Sequence, residues 1–148
     1  MSLNDRLGQE LKAAMLARDA ERLGALRLLK AALGYLAIEK KVDSLPDAEF
    51  IAVVQKEVKK RRDSIEQFEK GGRPELAAKE KAEIAVLEAF LPQALSAEEL
   101  ETLVRQIIAE TGATSKKDMG PVIKAVQAKA AGRADGRAIS TLVGKLLP

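Results

Sequence analysis

The sequence predicts an all-α protein, and three observations support that prediction. Apolar residues make up 47% of the 148-residue chain but aromatic residues only 3%, so the apolar mass is mainly Leu, Ala, Ile and Val. These residues recur at spacings of three and four, the period of an amphipathic helix. No segment shows the sustained alternation that is typical of a strand. We expect a four-helix N-terminal domain over residues 1–92 and a three-helix bundle over residues 96–148.

Two helices open the N-terminal domain. The first is predicted over residues 3–18 with Ser2 as its N-cap, and the second over about residues 20–41 with Asp19 as its N-cap. Ser and Asp suit these positions because a side-chain oxygen can accept a hydrogen bond from a free backbone N–H of the first turn. Neither Gly nor Pro separates the two helices.

The second helix is apolar on more than one side. Leu26 and Leu29 belong to its main stripe, while Leu28 and Tyr35 widen that stripe considerably. A helix with so broad an apolar surface is typical of a central position with neighbours on two sides. We therefore expect Leu28 and Tyr35 to be core residues rather than a groove for a partner helix.

The third and fourth helices are predicted to form a hairpin. Pro46 suits the start of a helix that runs to Lys70, about 24 residues and roughly 36 Å long. Gly71-Gly72 ends it, since glycine adopts a left-handed C-terminal cap at little cost, and Pro74 begins the next helix.

An ion pair is predicted inside this hairpin. Helical spacing places Glu80 on the inward face of the fourth helix and Arg61 and Arg62 at the margins of the buried stripe of the third. A carboxylate in that position requires a cationic partner. We expect a structural ion pair between Glu80 and Arg61 or Arg62, not a catalytic acid.

The C-terminal bundle opens with a capping box of Ser96 and Glu99. After the first helix of the bundle, which ends near Gly112, residues 115–148 contain seven Lys and Arg against two Asp, a net charge of +5. The remainder of the chain carries −2, since the whole carries +3. Such segregation is a common footprint of a polyanionic partner, although a solvated helical face explains the charge equally well.

Missing residue types and motifs restrict the function. The chain has no Cys and no His, and it contains neither a P-loop nor another nucleotide-binding glycine motif. We therefore predict no catalytic residue, no cofactor and no metal site. No apolar run reaches the roughly 18 residues of a membrane span, and no signal peptide opens the chain. From this we predict a cytoplasmic protein with no membrane partner.

Two long segments carry a family resemblance. KEVKKRRDSIEQFEKGGRPELAAKEKAEIAVLEAFLP (residues 56–92) and TGATSKKDMGPVIKAVQAKAAGRADGRAISTLVGKLL (residues 111–147) closely resemble the YqeY family. This family is similar to the C-terminal helical and tail domains of GatB, the B subunit of tRNA-dependent Asp/Glu amidotransferases. The C-terminal bundle is thereby GatB-tail-like.

The resemblance implies a non-catalytic role in binding or handling tRNA. The residues to which that nucleic-acid-binding role is transferred lie in the basic segment: Lys116, Lys117, Lys124, Arg133 and Arg137. An aminoacyl-tRNA synthetase or an amidotransferase is a further candidate partner. Two alternatives stay open: an accessory component of an amidotransferase, a carbon–nitrogen ligase that uses glutamine as amido donor, and a protein–protein adaptor that docks through the long third helix.

Overall fold

A computed structural model of the chain describes residues 1–148, and its regular elements are all helices with no strand, which confirms the predicted fold class. Seven α-helices follow one another along the chain, with a 3₁₀ turn at Lys116–Asp118 before the sixth. They are α1 (Leu3–Leu16), α2 (Ala20–Lys40), α3 (Asp47–Lys70), α4 (Pro74–Glu88), α5 (Ala97–Thr111), α6 (Met119–Ala130) and α7 (Gly136–Leu146). The chain divides into two compact units, Met1–Leu91 and Pro92–Pro148, each with its own hydrophobic core.

Side-chain caps start the helices of the first unit. Ser2 Oγ accepts a hydrogen bond from Asp5 N at the start of α1, and Asp19 Oδ1 accepts one from Arg22 N at the start of α2. Between these two helices Arg18 takes a left-handed conformation (φ 54°), which makes the sharp break without a glycine. The two N-caps predicted from the sequence are therefore confirmed.

All four helices of the first unit contribute to its core, to which α1 adds Leu7 and Ala14. Its most completely buried large side chains are Leu26 and Leu29 of α2, Phe50 of α3 and Leu87 of α4. The Phe50 ring meets the ring of Phe90 with their centroids 5.7 Å apart, an edge-tilted contact that aromatic pairs favour.

The prediction that Leu28 and Tyr35 are core residues is wrong. Leu28 is 54% exposed and Tyr35 77% exposed, and Ile38 on the same side of α2 is 76% exposed. The core covers only the opposite side of this helix. Periodicity identifies an apolar side of a helix, but it does not show whether another helix of the same chain packs against that side.

In the second unit, α5, α6 and α7 enclose a small core. Val104 of α5, Val126 of α6 and Ile139 and Val143 of α7 are completely buried. Ser96 and Glu99 form the predicted capping box, with Glu99 N donating to Ser96 Oγ and Ser96 N donating to Glu99 Oε1, each at 3.1 Å.

Candidate nucleic-acid interface

The basic segment at residues 115–148 folds into an antiparallel helical hairpin, here called the basic hairpin. The methyl carbon of Met119, at the start of α6, lies 3.4 Å from where a Cβ on Gly144 would sit, near the end of α7. At the other end, the Gln127 amide nitrogen lies 3.5 Å from the corresponding position on Gly136, where α7 begins. The start of α6 thus lies beside the end of α7.

This arrangement sorts the cations into two groups at opposite ends of the basic hairpin. One end carries the residues before α6 and in the last turn of α7: Lys116, Lys117 and Lys145. The other end carries those around the connection: Lys129, Arg133 and Arg137. The 12 residues of α6 separate the groups by roughly 18 Å, with Lys124 between them. All except the half-buried Arg133 are exposed.

Lys145 and Lys129 were not among the residues singled out from the sequence. The antiparallel arrangement places each of them at the same end as predicted site residues. The charge count over residues 115–148 already included both lysines. An expectation that α6 and α7 are antiparallel would have placed each of them beside the selected residues. Each also stands in the last turn of its helix, where a cation stabilises the negative end of the helix dipole.

The 3₁₀ turn separates Lys117 from Lys124. Because α6 begins only at Met119, the two lysines lie on different elements. Asp118 holds the turn together, because its Oδ2 accepts hydrogen bonds from Thr114 N at 3.0 Å and Ser115 N at 3.4 Å. The carboxylate is thereby tied to the backbone of this turn.

Arg133 has a structural role, because it forms hydrogen bonds with the segment at residues 93–95. Its Nε donates to the carbonyl oxygen of Gln93 at 2.9 Å, and its own carbonyl accepts from Leu95 N at 2.8 Å. These two hydrogen bonds fasten residues 93–95 to the connection between α6 and α7. The Arg133 guanidinium therefore has fewer free N–H groups for a phosphate than an exposed arginine has.

The start of α7 is not an open anion seat. The helix follows a glycine-bearing turn at residues 132–136, and Asp135 caps it, with its Oδ1 accepting from Ala138 N at 2.8 Å. A carboxylate in that position uses the donor and repels a second anion. Arg137 in the first turn remains exposed to solvent.

Negative charge in this unit is concentrated on α5. That helix carries Glu98, Glu99, Glu101 and Glu110 against Arg105, a net charge of −3. The capping hydrogen bonds from the Ser96 amide and hydroxyl lower the pKa of Glu99, and the nearby positive charge of Arg133 lowers it further. The unit therefore has an acidic helix and a basic hairpin.

In the first unit the buried Arg61, 7% exposed, is the centre of an ion cluster. Its Nε donates to Glu83 Oε2 at 3.0 Å, and its Nη1 donates to Glu57 Oε2 and to the Glu57 carbonyl, each at 3.1 Å. Glu80, the predicted partner, lies farther away, with its Oε2 3.9 Å from Arg61 Nε. Arg62 lies beside this cluster in the chain and is half-buried.

Sequence reasoning missed Glu57 and Glu83 as partners of Arg61. Glu57 precedes Arg61 by four residues, and Glu83 follows Glu80 by three, so each lies on the same helix face as a residue that was selected. The cluster has no unpartnered buried side-chain atom, as expected for a structural element.

No group of three or more His, Cys, Asp or Glu side chains is placed to hold a metal ion. Every helix is too short or too polar to cross a lipid bilayer.

The architecture defines a two-unit helical protein with a basic hairpin at its C-terminal end. The family model described as Yqey-like protein matches residues 4–147, and the chain belongs to the YqeY family. This confirms the family resemblance found in the sequence.

Curated relatives include three fungal proteins, each named "Altered inheritance of mitochondria protein 41, mitochondrial". The chain is 36% identical to that of Kluyveromyces lactis over 82% of its own length and 64% of the relative's. It is 38% identical to that of Eremothecium gossypii over 64% of its own length and 52% of the relative's. It is 32% identical to that of Lachancea thermotolerans over 64% of its own length and 51% of the relative's. The chain thus spans about half to two thirds of the length of these relatives.

These relatives contradict the prediction of a cytoplasmic protein, because their names place them in mitochondria. The prediction rested on the absence of apolar and signal segments from the chain. Such an absence does not report the compartment in which a homologous protein works.

Proposed function

We propose that this protein binds tRNA without catalysing a reaction on it, and that the basic hairpin is the surface that contacts the RNA. The observation that carries the proposal is the net charge of +5 on residues 115–148, whose cations are almost all exposed at the two ends and along the middle of one antiparallel hairpin. The similarity of the family to the tRNA-recognising part of GatB supports tRNA as the polyanion.

Binding would occur through the RNA backbone. Exposed lysines contact phosphates as point charges, and cation groups roughly 18 Å apart can engage separate phosphates along a folded RNA. The chain has three Phe, one Tyr and no Trp, so it offers few aromatic rings on which to stack unpaired bases. Recognition by shape and phosphate position suits a structured RNA.

We propose two roles for the five predicted residues. Lys116, Lys117, Lys124 and Arg137 are exposed and are proposed to contact phosphates. Arg133 is proposed to hold the connection in place through Gln93. Replacing Arg133 would therefore disturb the fold of the unit as well as its charge.

The salt dependence of tRNA affinity tests the proposal. Each cation that contacts a phosphate releases condensed counterions, so log K should fall with log salt by roughly 0.7–0.9 per contact. Replacing Lys116, Lys117, Lys124 and Arg137 by Ala should flatten the slope by about three units and weaken binding to many tRNAs alike. The measurement is fluorescence anisotropy with labelled tRNA, using cytosolic and mitochondrial pools because the curated relatives are mitochondrial.

A matched control carries the same change in net charge. Lys12, Lys56, Lys59 and Lys79 are exposed and lie in the first unit, so their replacement by Ala also removes four positive charges. This variant should keep most of the salt slope. Equal losses in the two variants, or a wild-type affinity for tRNA that salt does not change, would show that the basic hairpin is not the binding surface.

A further inference from the structure

The exposed side of α2 is a continuous apolar surface. Leu28, Ala31, Tyr35 and Ile38 follow one another at spacings of three, four and three, so they form one stripe, here called the outer face of α2. The three large members are 54–77% exposed. A spacing that alternates three and four is the seam along which one helix packs against another.

A cleft adjoins this face on one side. It has a volume of about 330 Å³ and lies between α1, α2 and the loop after α2, lined by Gly8, Leu11, Lys30, Leu33, Gly34 and Asp43, among others. Gly8 and Gly34 stand inside helices, where glycine is disfavoured, yet a Cβ on either would meet nothing within 4 Å. Packing within the chain therefore does not require glycine at these two positions, and the cleft stays open because they have no side chain.

Charge differs between the two edges of the outer face of α2. At 100° per residue, Arg27 and Lys30 border it on the side of the cleft, and neither is held in an ion pair within the chain. Glu21 and Glu39 border the opposite side. A helix lying on this face meets Arg27 and Lys30 next to the cleft, where Asp43 is the one acidic side chain of the lining.

From these observations we propose that the outer face of α2 and its cleft bind an amphipathic helix of another protein. The partner's apolar stripe packs on Leu28, Tyr35 and Ile38, one of its apolar side chains enters the cleft beside Gly34, and carboxylates along its cleft-side edge pair with Arg27 and Lys30. This is helix-in-groove recognition, with charge selecting the partner.

A second copy of the chain fits less well. Three large side chains offer an apolar patch on the order of 400 Å², about half of the roughly 800 Å² that each partner buries in a stable interface of standard size. An antiparallel pair of α2 helices would also set the edge with Arg27 and Lys30 along the same edge of the second copy, where α2 supplies no carboxylate for them. The cleft, by contrast, is a concave seat for a single side chain.

Two synthetic 20-residue helical peptides test the proposal with the full chain. Both carry the same leucine stripe, but one has Glu along one edge and the other has Lys there. By fluorescence anisotropy the Glu-edged peptide should bind at least ten-fold more tightly. Tyr35→Glu, at a position that is 77% exposed, should abolish binding of both peptides while the circular dichroism spectrum stays unchanged. Gly34→Leu, which fills the cleft, should weaken binding about ten-fold.

Charge reversal distinguishes complementarity from simple stickiness. The double variant Arg27→Glu, Lys30→Glu should invert the preference so that the Lys-edged peptide binds better. The matched double variant Lys12→Glu, Lys56→Glu, elsewhere on the same unit, should leave it unchanged. Equal binding of the two peptides, or no binding of either, overturns the proposal. So does a wild-type dimer, seen by sedimentation, that Tyr35→Glu converts to a monomer, since a second copy would then be the occupant.

Discussion

Arg61 supplies the sharpest test of what stabilises the first unit. It is 7% exposed, and the side chains of Glu57 and Glu83 that bind it are 14% and 17% exposed. Arg61→Ala leaves two half-buried carboxylates close together without their cation. Breaking a buried pair by removal of one partner costs about 3–5 kcal/mol, which is a large part of the 5–15 kcal/mol that keeps a typical domain folded.

The individual carboxylates should contribute unequally. Glu83 accepts a hydrogen bond from Arg61 at 3.0 Å, so Glu83→Ala should cost about 1.5–3 kcal/mol, as for a hydrogen bond to a charged group. Glu80 lies 3.9 Å from Arg61 without such a bond, and its side chain is 24% exposed, so Glu80→Ala should cost less than about 1 kcal/mol. Glu66→Ala, which removes an exposed pair with Lys70, is the matched control at about 0.5 kcal/mol or less.

Urea unfolding followed by circular dichroism gives these free energies, and hydrogen exchange of peptides from α3 separates the first unit from the second. The expected order of cost is Arg61→Ala, then Glu83→Ala, then Glu80→Ala and the Glu66→Ala control together. A cost for Glu80→Ala equal to that for Glu83→Ala would refute the geometric reasoning. A cost below about 1 kcal/mol for Arg61→Ala would show that the cluster does not stabilise the unit.

Two other predictions concern the cores and caps. Urea unfolding should show that Phe50→Ala lowers the free energy of unfolding by about 3–5 kcal/mol, because Phe50 is completely buried. Ile38→Ala, at an exposed position, should change it by less than about 0.5 kcal/mol. Similar losses in the two variants would mean that Ile38 packs against the core. The pKa of Glu99 is lowered in the folded state, so its stabilising effect is full above its ordinary value of 4.5 and is lost as pH falls through the depressed value. Thermal melts of the wild type at decreasing pH should show this loss below 4.5, and Glu99→Gln should reduce it. An unchanged pH profile in Glu99→Gln would exclude the capping box as its source.

Local chemistry made the helix starts predictable. Ser2, Asp19 and Ser96 cap helices where the sequence places them, because an N-cap needs only a short oxygen-bearing side chain and its own following turn. The 24 residues of α3 follow Pro46 as expected. These features depend only on residues within a few positions of each other, so they can be predicted from the sequence alone.

Contacts over longer distances were less predictable. Helical spacing identified the face of α4 that meets Arg61 but not which of its carboxylates comes within hydrogen-bonding distance, since that depends on side-chain reach. Likewise, the charge count selected the basic segment, but the bond from Arg133 to Gln93 depends on tertiary packing across 40 residues. The exposure of Tyr35 was unpredictable for the same reason. Helical periodicity shows that a side of α2 is apolar, but not whether the chain itself buries that side.

The distribution of charge within the second unit would orient the proposed RNA complex. The net charge of −3 on α5 and of +5 on the basic hairpin make the unit dipolar, so a polyanion is attracted to the hairpin and repelled from α5. The outer face of α2, in the first unit, is mainly apolar and suits a different chemical class of partner. The surface proposed for a nucleic acid and the surface proposed for an amphipathic helix lie in different units and share no residue. Variants of one surface should therefore leave binding at the other intact, because charge on the hairpin and apolar area on α2 contribute to separate equilibria.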